Sequence, residues 1–125
     1  MIDRVKRLGR ELVYKGSILD IYKDTMQLPN GNTEEWDFVA HRMGAAAVLP
    51  VLPDGRIVMV RQYRNALERE TLEIPAGCRD SLTEDTKISA ARELEEETGY
   101  TSDDISFLIS LRTTVAFCNE SIDVY

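Results

Sequence analysis

The sequence predicts a mixed α/β (α+β) domain, in which a β-sheet packs against one principal helix. Most of the 125 residues fall into short apolar or alternating segments separated by turn residues, which is typical of strands. One longer segment, which ends at Gly99, has helical periodicity and the glycine that commonly closes a helix. No internal repeat, linker or low-complexity stretch divides the chain. We therefore expect a single domain over residues 1–125.

The N-terminal third is predicted to form a small antiparallel β unit. Residues 1–10 carry several basic side chains with little periodicity and are interpreted as a frayed start. The unit itself is expected to span residues 11–41. Apolar alternation between Leu12 and Leu28 predicts two strands, and the Asn30-Gly31 turn leads into an alternating strand around Trp36.

Residues 42–125 are predicted to form the core of the domain. Ala45–Val51 is a continuous apolar run, and Ile57–Val60 is expected to pair with it as an antiparallel strand. Further strands are predicted at Thr71–Ile74 and over residues 105–111.

The composition, with 43% apolar and 30% charged residues, is that of a globular domain. No apolar run has the length of a membrane span or a signal-peptide core, so we expect a cytoplasmic protein that binds no membrane. The net charge of -7 disfavours a general nucleic-acid surface, which needs clustered basic residues.

Cys78 and Cys118 lack metal-ligand spacing and are expected to be reduced thiols. A nucleophilic cysteine served by His41 is an alternative that the sequence does not favour.

The end of the predicted helix carries an acidic face. At 100° per residue, Glu93, Glu96 and Glu97 share one narrow face. The predicted core face lies roughly opposite and consists of Ile88, Ala91 and Leu94, with Ala90 toward one side. Carboxylates repel one another there and lie at the negative end of the helix dipole, so they favour a bound cation. Hard oxygen ligands suit Mg²⁺ or Mn²⁺. The alternative is a solvated acidic face without a ligand.

The acidic face is part of a longer pattern: Gly77, Glu84, then Arg92-Glu93-Leu94-x-Glu96-Glu97-x-Gly99-Tyr100. This pattern resembles the signature box of the Nudix hydrolases, which are Mg²⁺-dependent enzymes that cleave a diphosphate linked to a nucleoside. One departure is that Gly77 and Glu84 enclose six residues, where the family usually has five. The stretches 48–64 and 72–77 are similar to the ADP-ribose pyrophosphatase branch. The resemblance covers residues 11–125 and implies the α/β/α sandwich of Nudix proteins, with a mixed β-sheet.

The resemblance also implies a catalytic centre. Metal ligation would fall to Glu93 and Glu97, assisted by Glu96 and by the backbone carbonyl of Ala76. Arg92 would pair with the carboxylates of the box and keep them in position. The role of Glu84 is left open by the extra residue in the loop.

The substrate-binding residues are implied in the same way. Arg64 would hold a substrate phosphate, and Glu73 would lie in the wall of the site. The Trp36-Asp37 pair would contact adenine across the interface of a homodimer, and Glu120 would lie near the terminal ribose. From spacing alone, Arg64 could equally be an exposed strand end, and Trp36 a core or interface residue.

The predicted function is Mg²⁺-dependent hydrolysis of ADP-ribose or a related nucleoside diphosphate sugar to AMP and a sugar phosphate. The alternative is a Nudix-like module that binds or senses a nucleotide without efficient hydrolysis, and a non-Nudix acidic interaction domain is a third reading. Residues 122–125 begin a strand, whereas the resembling enzymes continue with further strands, a helix and another glutamate. We therefore expect the C-terminal part of the domain to be truncated, with the general base beyond Tyr125.

Overall fold

The computed structural model describes residues 4–125, which divide into two compact units. The first unit extends to Arg42 and includes Arg112–Glu120, and the second consists of Met43–Leu111 and Ser121–Tyr125. Each unit is described by itself below. The domain boundaries predicted from the sequence, with a β unit at 11–41 and a core at 42–125, stay a prediction.

The first unit is an antiparallel three-stranded sheet with the order β1-β2-β3. Its strands are β1 (Lys6–Lys15), β2 (Leu19–Gln27) and β3 (Thr33–His41). Strands β2 and β3 are joined by a turn in which Gly31 has a φ of 89°, a conformation that favours glycine. The two strands and the turn predicted between Leu12 and the Trp36 strand are thus confirmed.

The predicted frayed start is wrong for Lys6–Arg10, which belong to β1. Residues 1–3 lie outside the described part of the chain. The strand is held partly by Arg10, which donates to both oxygens of the buried Asp24 at 2.7 Å. The same guanidinium lies 4.2 Å from the centroid of the Phe38 ring. Every residue of β1 is exposed, so a basic, weakly periodic segment could form a strand without the usual apolar pattern.

The second unit contains a four-stranded sheet, a two-stranded sheet and one α-helix. The helix is α1 (Thr86–Thr98), and a short 3₁₀ turn covers Asn65–Leu67. The order of the larger sheet is β7-β4-β9-β8, and β5 pairs with β6. The strands are β4 (Ala45–Ala47), β5 (Val60–Arg64), β6 (Arg69–Glu73), β7 (Ala76–Cys78), β8 (Ile109–Arg112) and β9 (Ser121–Val124). The prediction of a mixed sheet with one principal helix is confirmed.

The predicted antiparallel pairing of Ala45–Val51 with Ile57–Val60 is confirmed only near the turn, where Val51 bridges Ile57 and the Val58 N–H donates to the Pro50 carbonyl. Only Ala45–Ala47 form a regular strand, and the two segments share a single bridge between Val51 and Ile57. Proline has no N–H group, and Pro50 and Pro53 interrupt the run. Strand β4 pairs instead with β7 (antiparallel) and with β9 (parallel).

Two further strand predictions need correction. The strand predicted over residues 105–111 begins only at Ile109. The strand predicted at Thr71–Ile74 runs from Arg69 to Glu73, and the short strand β7 that follows was missed. Its sequence, Ala-Gly-Cys, is too short and too poor in β-branched residues to be recognised from pattern. The strand predicted at residues 122–125 is confirmed and begins one residue earlier, at Ser121.

Helix α1 ends at Gly99 as the sequence predicts, and it begins after Asp85. The side chain of the N-cap Asp85 accepts a hydrogen bond from the Lys87 N–H at 2.9 Å. At the other end Gly99 has a φ of 78° and its N–H donates to the Glu95 carbonyl. No helix within residues 4–125 is long and apolar enough to cross a membrane. The two cysteines, both within the described part, are not joined in a disulfide, as predicted.

The core face of α1 differs from the prediction. Leu94 is buried as expected, but Ile88 is 59% exposed. The residues buried beside Leu94 are Ser89 and Ala90, which follow Ile88 in sequence. The small side chain of Ala90 allows the helix to pack closely on Ala46 and Val48. The core-facing side of the helix is therefore turned toward Ser89 and Ala90 rather than toward Ile88.

Candidate active site

The carboxylate of Glu93 lies directly against the backbone of Gly77. A Cβ atom built on Gly77 would overlap the Glu93 carboxyl carbon and both of its oxygens. Gly77 is in β7, opposite Ala46 of β4, and Glu93 is in the second half of α1. Only glycine leaves room for this approach, so the first glycine of the sequence pattern is required by the position of the first helix carboxylate.

The pKa of Glu93 is raised above its ordinary value. Burial is the largest cause, followed by repulsion from Glu97 and Glu96, while Arg92 acts in the opposite direction. Glu93 is half-buried, whereas Glu96 and Glu97 are exposed. The fold thus holds a carboxylate where its negative charge is costly, and a cation would offset that cost.

A divalent cation fits these residues by their chemistry. Carboxylates on one helix face offer hard oxygen ligands, and Ala76 is in β7 next to Gly77. Within residues 4–125, no group of three or more His, Cys, Asp or Glu side chains is arranged as a metal-binding cluster. Mg²⁺ commonly binds through one or two carboxylates and keeps several waters, so it does not need a preformed cluster.

Arg92 is held by a network on the N-terminal side of Glu93. Its Nη1 donates to Glu84 at 2.7 Å and lies 3.0 Å from a carboxylate oxygen of Asp80. Its Nη2 donates to the Cys78 carbonyl at 3.3 Å. The hydroxyl of Ser89 also donates to Glu84. Hydrogen bonds from Arg92, first, and from Ser89 lower the pKa of Glu84 to about 2.

This network answers the question that the sequence leaves open at Glu84. Among the carboxylates of the box, Arg92 pairs with Glu84, so that Glu84 acts as an anchor on the arginine side of the helix. The contributions of Ser89 and Asp80 were missed in the sequence. The helical periodicity places Ser89 on the same face as Glu93 and Glu96, so no signal in the sequence indicated that its side chain would be buried.

The loop with the additional residue is organised by Arg79. Its Nε donates to the Met43 carbonyl at 2.6 Å, and its Nη1 donates to the Leu82 carbonyl at 3.0 Å. The Arg79 N–H also donates to the Gly44 carbonyl at 3.3 Å. The longer loop is therefore tied to the chain just before β4 and to itself.

The sheet formed by β5 and β6 joins Arg64 to Glu73. The Arg64 Nε donates to Glu73 at 2.7 Å, and Nη2 donates to the second carboxylate oxygen. Thr71 also donates to Glu73. Hydrogen bonds from Arg64, first, and from Thr71 lower the pKa of Glu73 to about 2. The predicted phosphate ligand and the predicted wall residue thus form one ion pair.

The three remaining predicted residues lie in the first unit. Trp36 is 41% exposed on β3, and its indole N–H donates to Glu34 at 3.0 Å. Asp37 is exposed and lies opposite Lys23 in the register of β2 and β3.

Glu120 accepts a hydrogen bond from the Thr113 hydroxyl at 2.6 Å and lies 3.4 Å from the imidazole of His41. The structure thus brings Arg92 and Glu93 together with their neighbours in the second unit, and Glu120 with His41 in the first. The contact of His41 with Glu120 was not predicted.

The chain belongs to the NUDIX domain family, whose model matches residues 40–123. It is 39% identical over 120 residues to the ADP-ribose pyrophosphatase of Bacillus subtilis, and 41% identical over 120 residues to the methanol dehydrogenase activator of Bacillus methanolicus. Each match covers 96% of this chain and 64% of the relative. The chain therefore spans less than two thirds of the length of these relatives.

The fold is also that of a solved protein. A crystal structure of an ADP compounds hydrolase matches with a TM-score of 0.87 and 21% identity, covering 99% of this chain and 66% of that one. The family and the fold class predicted from the sequence are thus confirmed.

Proposed function

We propose that this protein hydrolyses the diphosphate bond of ADP-ribose or a related nucleoside diphosphate sugar, giving AMP and a sugar phosphate. In this proposal it uses Mg²⁺, which Mn²⁺ can replace, and acts in the cytoplasm as a homodimer. The observation that carries the proposal is the Glu93 carboxylate, held against Gly77 beside two further carboxylates in a member of the NUDIX domain family. The name of the B. subtilis relative, an ADP-ribose pyrophosphatase, supports the substrate class.

The helix carboxylates are the proposed metal ligands. Glu93 and Glu97 would hold the cation, assisted by Glu96 and by the Ala76 carbonyl. Divalent cations in such sites neutralise diphosphate charge and lower the pKa of bound water. The raised pKa of Glu93 supports this assignment, since a bound cation would stabilise the ionised form that the apo fold disfavours.

Two groups of residues would orient the substrate. Arg64 would bind a phosphate through its planar guanidinium, which suits bidentate contacts. Because Glu73 already accepts from two of its nitrogens, the phosphate must share or displace that ion pair. In the first unit, Trp36 would stack on adenine with Asp37 beside it, and Glu120 would lie near the terminal ribose. The exposure of the Trp36 ring supports its role.

The alternative of a binding module without hydrolysis is not favoured. The B. subtilis relative is named as a pyrophosphatase and the matching solved structure as a hydrolase.

The test is product analysis with the purified protein. ADP-ribose, ADP-glucose, UDP-glucose and GDP-mannose are each incubated with Mg²⁺, with and without EDTA, and the products are separated by ion-exchange chromatography. We expect AMP and ribose 5-phosphate from ADP-ribose, and no product with EDTA. The proposal is refuted if none of the four substrates is cleaved faster than in the absence of protein, or if Glu93→Gln is as active as the wild type.

A further inference from the structure

We propose that Ser89 is a positioning residue for Glu93, which it serves through Glu84 and Arg92. The inference rests on the proposed function of the same site and names a residue that takes no part in the predicted chemistry. Its basis is the hydroxyl of Ser89, which is completely buried on the core face of α1 and donates to Glu84.

The packing of α1 does not require a hydroxyl at this position. Ala90 is buried beside Ser89 on the same face, and alanine is the better helix former. A buried hydroxyl without a partner is unfavourable, so Ser89 is acceptable because Glu84 accepts its hydrogen bond. The carboxylate receives two more donors, the Asp80 N–H at 3.2 Å and Arg92 Nη1 at 2.7 Å. Two donors on one carboxylate oxygen and one donor on the other leave Glu84 little freedom to move.

The fixed carboxylate in turn fixes the arginine. Arg92 reaches from α1 to the Cys78 carbonyl on β7, and Cys78 directly follows Gly77. Glu93 directly follows Arg92 and lies against Gly77. The two contacts thus join the same pair of elements at adjacent residues, so the Arg92 contact sets the distance between helix and strand at which the Glu93 carboxylate lies.

Loss of the Ser89 hydroxyl would remove one of the two side-chain donors on Glu84. Arg92 could then follow the freed carboxylate, and the Glu93 carboxylate would no longer be confined to one position. Residues that orient the ligands of a metal typically change metal affinity or activity by about 10- to 100-fold when they are lost. We expect about tenfold here, since Ser89 acts through two other residues.

The experiment compares four variants in two pairs. Ser89→Ala removes the hydroxyl with little change in volume. Ser89→Thr and Ser89→Val add the same bulk but differ in the hydroxyl, so they separate the hydrogen bond from packing. The matched control is Ser106→Ala, at an exposed position outside the network. For each protein we would measure Mn²⁺ binding by electron paramagnetic resonance, kcat and KM for ADP-ribose, and thermal unfolding.

We expect Ser89→Ala and Ser89→Val to weaken Mn²⁺ binding and to lower kcat by about tenfold, with KM less affected and the fold retained. Ser89→Thr and Ser106→Ala should stay within about threefold of the wild type in both quantities. A purely structural role predicts a lower melting temperature with unchanged Mn²⁺ binding and kcat, and that result overturns the inference. Equal losses in the threonine and valine variants overturn it as well.

The wild-type protein separates this inference from the proposed function. If it binds Mn²⁺ but releases no product, the proposed function fails, and the ratio of Mn²⁺ affinities between Ser89→Ala and wild type still decides the inference. If it binds no Mn²⁺, both are overturned.

Discussion

The Glu93 carboxylate occupies the space that a side chain on Gly77 would fill. This relationship links the strand that enters the box with the helix that carries its carboxylates. It also explains on steric grounds why residue 77 is a glycine, because any Cβ atom there must displace the proposed metal ligand.

We therefore expect Gly77→Ala to lower kcat/KM for ADP-ribose by about a hundredfold, as a misplacement of about 1 Å can do. The free energy of unfolding, measured with urea, should change little, because the methyl meets the far end of a flexible side chain that can move away. Gly9→Ala is the matched control, because a Cβ on Gly9 meets no atom within 4 Å. Full activity of Gly77→Ala would show that the Glu93 carboxylate need not lie on the glycine.

The role of Glu97 as a metal ligand can be tested by comparing its substitution with that of Glu95 on the same helix. Glu97→Gln should lower Mg²⁺-dependent kcat by about a hundredfold, equivalent to ~2.7 kcal/mol, because it removes a charged ligand with little change in shape. The circular dichroism spectrum should stay that of the wild type. Glu95→Gln, also exposed on the last turns of α1 but outside the proposed ligand set, should keep its activity. Wild-type turnover of Glu97→Gln at limiting Mg²⁺ would contradict the ligand assignment.

The role of Trp36 predicts a change in KM rather than in kcat. Trp36→Ala should raise KM for ADP-ribose about ten- to a hundredfold, because base stacking on an aromatic ring is worth ~1–3 kcal/mol. Tyr14→Ala provides a control, since Tyr14 is another exposed aromatic residue of the same sheet. An unchanged KM in Trp36→Ala, or a fully active monomer in sedimentation experiments, would count against the base contact across a dimer.

The helix of the candidate site could be predicted from the sequence because its signals are local. The C-cap Gly99 directly follows the helix that it closes, and the acidic face follows from periodicity alone. The pairing of β4 with β9 could not be predicted in the same way. It joins Ala46 to Asp123 across most of the unit, and nothing in either short segment identifies its partner.

The contacts that define the site also join residues that are distant in sequence, as the pairing of β4 with β9 does. The space beside Gly77 depends on how closely α1 approaches β7, which the sequence pattern indicates only through the glycine itself. The partner of the Ser89 hydroxyl depends on the path of the loop before the helix. A pattern can therefore nominate Glu93, but it cannot show which residues hold it.

Glu84 predicts how stability should depend on pH. Its pKa is about 2 in the folded protein and has an ordinary value of 4.5, because Arg92 and then Ser89 bind the ionised form. Its contribution is therefore complete above pH 4.5 and is lost as the pH falls toward 2. The free energy of unfolding of the wild type, measured with urea between pH 6 and about 2.5, should fall in this range.

Glu84→Gln should be less stable than the wild type at pH 6, and the difference should shrink on acidification. Part of the acid loss should remain in the variant, because the pKa of Glu73 is also lowered to about 2 by Arg64. A difference in unfolding free energy that is constant over the whole range would show that Glu84 does not titrate as the structure indicates.

Mg²⁺ should stabilise the wild type but hardly change the stability of Glu93→Gln. Burial and then Glu97 and Glu96 raise the pKa of Glu93, so its ionised form destabilises the apo fold at neutral pH. Glu93→Gln should therefore melt at a higher temperature than the wild type in EDTA. In the wild type, Mg²⁺ at a hundredfold excess over its dissociation constant should add ~2.7 kcal/mol. For a domain of this size that stabilisation corresponds to a rise of roughly 10 °C in Tm.

The same addition of Mg²⁺ should hardly change the Tm of Glu93→Gln, and the control Glu95→Gln should respond as the wild type does. Differential scanning fluorimetry at constant ionic strength provides the measurement, since added salt would otherwise screen the carboxylates by itself. An equal Mg²⁺ response in Glu93→Gln and wild type would place the cation elsewhere on the molecule.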